Sequence, residues 1–220
     1  MKKLRDIAIK ILFYEEEQDI SEKIDKFTRD FIDLNHANLA RFFDCFKLSN
    51  DSICFVIEFC DGDDFSTFLA NSQNIIAEKD AKNIVRQILN GISYINEKKI
   101  IHGNLKPKNI IFHKGDVKIT DYWLFHENLE EKNQENIDYL PPEFSKNYKE
   151  FDYSFDVWTV GVLYYEMIFG EKPNVFGLKF PPKPVVSAEC REFITICLTE
   201  DYQKRWTIKQ ALDGVYITKV

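Results

Sequence analysis

Two hydrophobic periods alternate along the chain. Residues 7–12 read Ile7-Ala8-Ile9-Lys10-Ile11-Leu12, a strand-like alternation that puts Lys10 on the face opposite Ile9 and Ile11. In residues 20–34 the apolar positions are Ile20, Ile24, Phe27, Phe31 and Leu34, a four-then-three spacing that predicts an amphipathic helix. Phe42-Phe43 and Cys54-Phe55-Val56-Ile57 predict the next two strands, with residues 47–52 as the polar hairpin between them. Residues 77–97 predict the clearest helix, with Ala81, Ile84, Ile88 and Ile92, flanked by Val85 and Ile95, in one stripe. The triplet Ile110-Ile111-Phe112, the turn Lys114-Gly115-Asp116 and a short alternating run predict two more strands. A mostly apolar stretch begins at Asp156. Residues 171–184 hold four prolines and no helical period, and residues 188–198 and 207–212 predict the last helices. The pattern is α+β.

Composition narrows the class without naming a chemistry. At 220 residues the chain is one domain, or two small lobes sharing a cleft. A net charge of -7 makes no case for nucleic acid, which needs clustered Lys and Arg. The start superficially resembles a signal peptide, but Lys10 interrupts its apolar segment and three glutamates follow. No run approaches the roughly 20 apolar residues of a membrane span, and the mean hydropathy of -0.33 agrees. Five cysteines, at 45, 54, 60, 190 and 197, form no Cys-x-x-Cys pair and do not cluster with the four histidines. They predict buried thiols in a reducing, cytoplasmic compartment.

The candidate chemistry lies in residues 100–123. A polar loop closed by Asn109 sits between β-like runs, and strands on either side of the Lys114-Gly115-Asp116 turn bring Asn109 and Asp121 together. An amide oxygen and a carboxylate on neighbouring strand ends are hard ligands of the kind Mg²⁺ accepts. The run from His102 to Asn109, followed by Asp121-Tyr122-Trp123, resembles the catalytic and magnesium loops of a protein kinase, where H-R-D-x-K-P-x-N precedes D-F-G. His102, Lys106, Pro107, Asn109 and Asp121 match that pattern. Gly103, Asn104, Tyr122 and Trp123 depart from it.

The resemblance runs from about Ile7 to Leu212 and implies a bilobal kinase-like fold with a mainly helical large lobe. It implies a single domain over 1–220, with a small lobe at 1–57, a hinge at 58–64 and a large lobe at 65–220. No G-x-G-x-x-G occurs, and only nine residues precede Lys10. Either the small lobe lacks its first two strands and glycine-rich loop, or the start lies upstream. For ATP, the resemblance implies Lys10 at the phosphates, Ala8 and Ile111 around the adenine, the backbones of Glu58 and Cys60 at its edge beside Ile57, and Asp64 at the ribose. For magnesium it implies Asn109 and Asp121. The catalytic-loop lysine is Lys106, and the position of the base is Asn104. The helix glutamate that would pair with Lys10 falls on Phe27, with Asp30 one turn on as a substitute.

Elsewhere the resemblance implies that Asp156 anchors the catalytic-loop backbone and that Glu143 forms a buried bidentate pair with Arg205. It implies two stacks, one of Ala8, Phe65, Ile111, Leu163 and Met167, the other of Phe42, Phe31, Tyr122 and His102. Between Asp121 and Glu143 there is no serine or threonine, and Tyr122 and Tyr139 carry the hydroxyls. Glu127, Glu130 and Glu131 make that segment acidic, a candidate docking surface. Trp123 removes a glycine that tolerates unusual backbone angles. An asparagine amide is no base at useful pH, and general-base assistance is worth about 10²–10⁴ in rate. The resulting expectation is a pseudokinase that acts as a scaffold or allosteric regulator on a protein partner and still holds ATP. The alternative is a weakly active Ser/Thr kinase transferring the ATP γ-phosphate to a protein substrate; a truncated, inactive product is the third. No nucleic acid and no membrane enter any of these readings.

Overall fold

The computed structural model describes residues 6–14, 20–72, 75–124, 137–145 and 152–218. A small sheet lobe packs on a helical large lobe. Strand β1 (Ile7–Phe13) leads into helix α1 (Ser21–Phe31), and β2 (Phe42–Ser49) and β3 (Ser52–Glu58) complete an antiparallel sheet of order β1-β3-β2. The large lobe holds α2 (Phe65–Asn71), α3 (Glu78–Glu97) and the pair β4 (Ile110–His113) and β5 (Asp116–Ile119). Then come α4 (Pro142–Ser145), α5 (Ser154–Phe169), α6 (Ala188–Cys197), α7 (Ile208–Asp213) and α8 (Val215–Thr218). Between α5 and α6 there is only a 3₁₀ turn, Val175–Gly177, because the proline-rich stretch cannot sustain a helical ladder.

β1 alternates as predicted. Ile7, Ile9, Ile11 and Phe13 face outward and are 44–77% exposed, while Ala8, Lys10 and Leu12 face in. The β1–β3 register sets Lys10 opposite Phe55, so the lysine lies on the inner face of the sheet. The hairpin is tighter than expected. β2 and β3 run through Lys47, Ser49 and Ser52, leaving only residues 50 and 51 as the turn, because solvated side chains on the outer face do not interrupt the ladder.

α3 buries Ala81, Ile84, Val85, Ile88, Leu89, Ile92 and Ile95 on one stripe. α5 is apolar all round and accordingly central, with residues buried on every face. Gly170 ends it in the left-handed region (φ 74°), where its N–H reaches Glu166 O at 2.9 Å. Gln87 of α3 accepts from Val117 N at 2.8 Å and from Asn38 Nδ2 at 3.1 Å, fastening β5 and the segment after α1 to the same helix. No helix among the described residues is long and apolar enough to cross a membrane.

The base of the large lobe is tied by one ion pair. Arg205 donates to both oxygens of Glu143, at 2.6 and 3.0 Å, and also to the carbonyls of Thr199 and Ser154. Its guanidinium carbon stands 4.8 Å from the centre of the Trp158 ring. Breaking such a buried pair from one side strands the other charge. Arg205→Met is therefore expected to lower the urea-unfolding free energy by about 3–5 kcal/mol. A loss below about 1 kcal/mol would show that the pair is as weak as an exposed one.

Candidate active site

The site is built on the end of α3. Lys99, in a left-handed conformation (φ 63°), turns the chain out of the helix into the loop at 100–106. Asp156, buried at the start of α5, accepts the backbone N–H of His102 and of Gly103, one on each oxygen, both at 2.9 Å. Gly103 itself has φ 67°, a conformation that costs glycine little. The fully buried His102 ring accepts the Asn104 N–H through Nδ1 at 3.2 Å, so its Nε2 carries the proton toward Thr120 O, 3.1 Å away.

From there the loop fixes its own polar groups. Asn109, in the 3₁₀ turn Pro107–Asn109, donates from Nδ2 to the Asn104 carbonyl at 2.7 Å. Its side-chain oxygen is thereby the end left for a ligand. Its backbone carbonyl accepts Thr120 N–H at 3.0 Å, which brings Asn109 beside Asp121. Asn104 is only 8% exposed, and Lys106 is half-buried at the head of the turn.

Asp121 has φ 66°, strained for a residue with a side chain, and is 4% exposed. A turn closed by Leu124 N–H on Asp121 O at 3.2 Å accompanies it. Trp123 shows no positive φ; the unusual angle belongs to Asp121, so replacing the glycine with tryptophan has not strained the backbone there. Lys10 pairs with Asp121, its Nζ donating to Oδ2 across the cleft between the lobes.

α1 offers Lys10 no acid. Phe27 is buried in the glutamate position, with its ring centre 5.4 Å from that of Phe55. Asp30 is exposed and lies 3.6 Å from Arg29. It does not stand in for the glutamate, because the buried face of α1 is that of Phe27 and Phe31 and Asp30 lies off it.

The hinge-side candidates divide. Ala8 stands opposite Ile57 in the β1–β3 ladder, and Ile111 bridges to Asp64. The Glu58 carboxylate is committed to Lys118 at 2.9 Å and to Arg41 N–H at 3.1 Å, leaving its backbone as the group that could serve a ligand. Burial pushes the Cys60 thiol up to about 11, so it is neutral at ordinary pH. Asp64 caps α2, accepting from Thr67 N at 3.0 Å and from the Ser66 and Thr67 hydroxyls. Those bonds hold its carboxyl below the usual range, against the opposing push of burial. A ribose contact would have to share that cap.

The donor set suits a magnesium nucleotide. The Asn109 oxygen and the Asp121 carboxylate would be the hard ligands for such a metal, and Lys10, here paired with Asp121, would be the cation for phosphate. Glu127, Glu130 and Glu131 lie outside the described residues. Both tyrosines of the segment are engaged, Tyr122 Oη on Ala40 O at 3.0 Å and Tyr139 Oη on Glu166 Oε2 at 2.7 Å. The role of Thr120, whose carbonyl orients His102, was not visible in the sequence; the one signal was its place just before Asp121.

Burial raises the Asp156 carboxyl from its ordinary 3.8 to about 6, with the backbone N–H groups pulling it back. A raised value in the folded state means that stability falls as pH rises, here between about 4 and 6. Asp156→Asn stays neutral but surrenders one acceptor, at a cost of about 1–3 kcal/mol. Urea unfolding should show that deficit in full at about pH 4, narrowing toward pH 7 by up to about 3 kcal/mol. A deficit independent of pH would mean that the carboxyl titrates normally.

Comparison with known proteins places this geometry. The model of the protein kinase domain family matches residues 2–217. The chain is 32% identical over 226 aligned residues to serine/threonine-protein kinase tousled-like 2 of Mus musculus, covering 84% of this chain and 31% of that protein. It is 32% identical to tousled-like 1 of Homo sapiens, covering 84% and 29%. It is 34% identical to TOUSLED of Arabidopsis thaliana, covering 78% and 30%. The chain thus spans under a third of the length of these relatives. With a match running through both lobes and a catalytic loop anchored on Asp156, this chain belongs to the protein kinase family.

Proposed function

We propose that the chain is a catalytically impaired kinase domain, a pseudokinase that serves a protein partner as scaffold or allosteric regulator and keeps a cleft for ATP and Mg²⁺. The observation that carries this reading is Asn104. Its backbone is bonded on both sides, to His102 and to Asn109, and residues 102–109 contain no carboxylate to act in its place. Phosphoryl transfer draws on positioned phosphates, neutralised charge and a carboxylate that takes the hydroxyl proton. Lys10, Asn109 and Asp121 suit the first two, and Mg²⁺ when bound would neutralise phosphate charge. The proton has no acceptor on this loop.

A second reading, a weakly active Ser/Thr kinase, draws on the assembled loop and on the Lys10–Asp121 pair, and the relatives' names include Ser/Thr kinases. Under either reading residues 1–220 act as one domain, with lobes at 1–57 and 65–220 about a hinge at 58–64. Five free cysteines suit a reducing cytoplasm.

Thermal melting with ATP, with and without Mg²⁺, tests the cleft. A magnesium-dependent stabilisation of about 2.7 kcal/mol at a hundredfold excess over Kd is expected, and should be lost in Asp121→Asn. No shift at saturating ATP, from a chain that melts cooperatively, would overturn nucleotide binding. In a phosphotransfer assay Asn104→Asp should raise the rate about 10²–10⁴-fold. A parent chain already as fast as that variant would remove the impairment and leave the second reading.

A further inference from the structure

Six aromatic rings meet where the sheet, α1 and the Asp121 loop converge. Ring centres run from Phe27 to Phe55 at 5.4 Å, from Phe55 to Trp123 at 6.0 Å and from Trp123 to Tyr122 at 4.8 Å. Tyr122 then meets Phe31 at 5.9 Å, and Phe31 meets Phe27 at 6.1 Å, closing the circuit. Phe42 fills the middle, 5.5 Å from Trp123, 6.1 Å from Phe31 and 6.4 Å from Phe55. All six are at most 4% exposed.

We infer that Phe27 and Trp123 are a matched pair of positioning residues, which hold α1 against the sheet and the Asp121 loop by aromatic packing in place of an ion pair from Lys10. Trp123 joins the loop to the sheet through Phe55 and Phe42 and packs on Tyr122, whose ring joins the loop to Phe31 of α1. Phe27 supplies the contact from α1 to β3 through Phe55. The Trp123 indole N–H is buried with no acceptor among the described residues, so shape and not hydrogen bonding places the ring.

Charge is routed elsewhere. Lys10 shares its register position with Phe55, so its side chain leaves the sheet beside the cluster and reaches Asp121. The acidic residues of α1, Glu22, Asp25 and Asp30, are all exposed. Each of the two departures looks damaging alone. Together the phenylalanine removes the lysine's partner on the helix and packs on Phe55, and the tryptophan packs on the same Phe55 ring from the loop. The placement of α1 is thereby independent of the state of Lys10. This refines the proposed function: the cleft keeps its helix docked whether or not Lys10 is engaged with a nucleotide.

Hydrogen exchange of α1 in the full chain, with no nucleotide present, tests this directly. Lys10→Met should leave exchange over residues 21–31 within about twofold of the parent. Trp123→Gly should speed it at least tenfold, with α3 and α5 unchanged, and Trp123→Phe should restore most of the protection. In Phe27→Glu with Trp123→Gly, a carboxylate faces Lys10 with room to meet it. Protection of α1 should then become sensitive to Lys10→Met, a dependence that loss of packing alone would not create. Should Trp123→Gly unfold the whole chain, Trp123→Leu carries the same comparison. Equal loss of α1 protection in Lys10→Met, or no loss in Trp123→Gly or Trp123→Leu, would overturn the inference. Because no nucleotide is used, failure to bind ATP would sink the proposed function and leave this result standing.

Discussion

A single buried carboxylate holds the active-site region in register. Asp156 lies in the helix that forms the centre of the large lobe, and it spends both oxygens on consecutive backbone N–H groups of the loop. From that anchor the order passes along short bonds. His102 is fixed, then Thr120 and Asn104 through the two ring nitrogens, then Asn109 and the start of the Asp121 turn. Lys10 of the other lobe finally meets Asp121. Taking a carboxyl wholly out of water is costly, as its raised pKa records. The cost is tolerable because the paired N–H groups would otherwise be buried without partners themselves.

The small lobe answers a different constraint. A sheet of three strands among the described residues, with one face partly exposed, has little apolar surface to fix a helix in place. The aromatic cluster concentrates that surface. Each aromatic side chain buries about 150–250 Å², worth about 4–6 kcal/mol at the usual area coefficient. An unpaired indole N–H costs about 1–3 kcal/mol. The balance favours keeping Trp123 even with its donor unsatisfied. An ion pair at that spot would face the opposite sum, since desolvating two charges can cancel their attraction.

Much of this was legible in residue patterns, and what escaped has physical reasons. The helices at α1 and α3 followed from apolar spacing, because each buries one stripe. The Glu143–Arg205 pair and the Asp156 anchor followed from the resemblance, and the side chains meet as it implied. Alternation fixes which residues of β1 share a face but not which face is covered; the resemblance, by putting Ala8 and Lys10 toward a nucleotide, implied the inward face on which they lie. The β2–β3 turn was placed too broadly because polar residues on an exposed sheet face read like a loop. Phe27 and Trp123 were each visible as departures. That their rings share one cluster depends on the fold, since nearly a hundred residues separate them in the chain.

Tyr122 and Tyr139 bear on how such a domain would be controlled. Between Asp121 and Glu143 the hydroxyls belong to Tyr122 and Tyr139, and both are buried and bonded. A phosphate adds about 1.5–2 negative charges. On Tyr139 it would stand against Glu166, whose carboxyl burial already raises toward neutrality. On Tyr122 it would break the bond to Ala40 and enter the aromatic cluster. Neither modification is compatible with the bonds these two hydroxyls make, so phosphorylation there requires each ring to leave its place first.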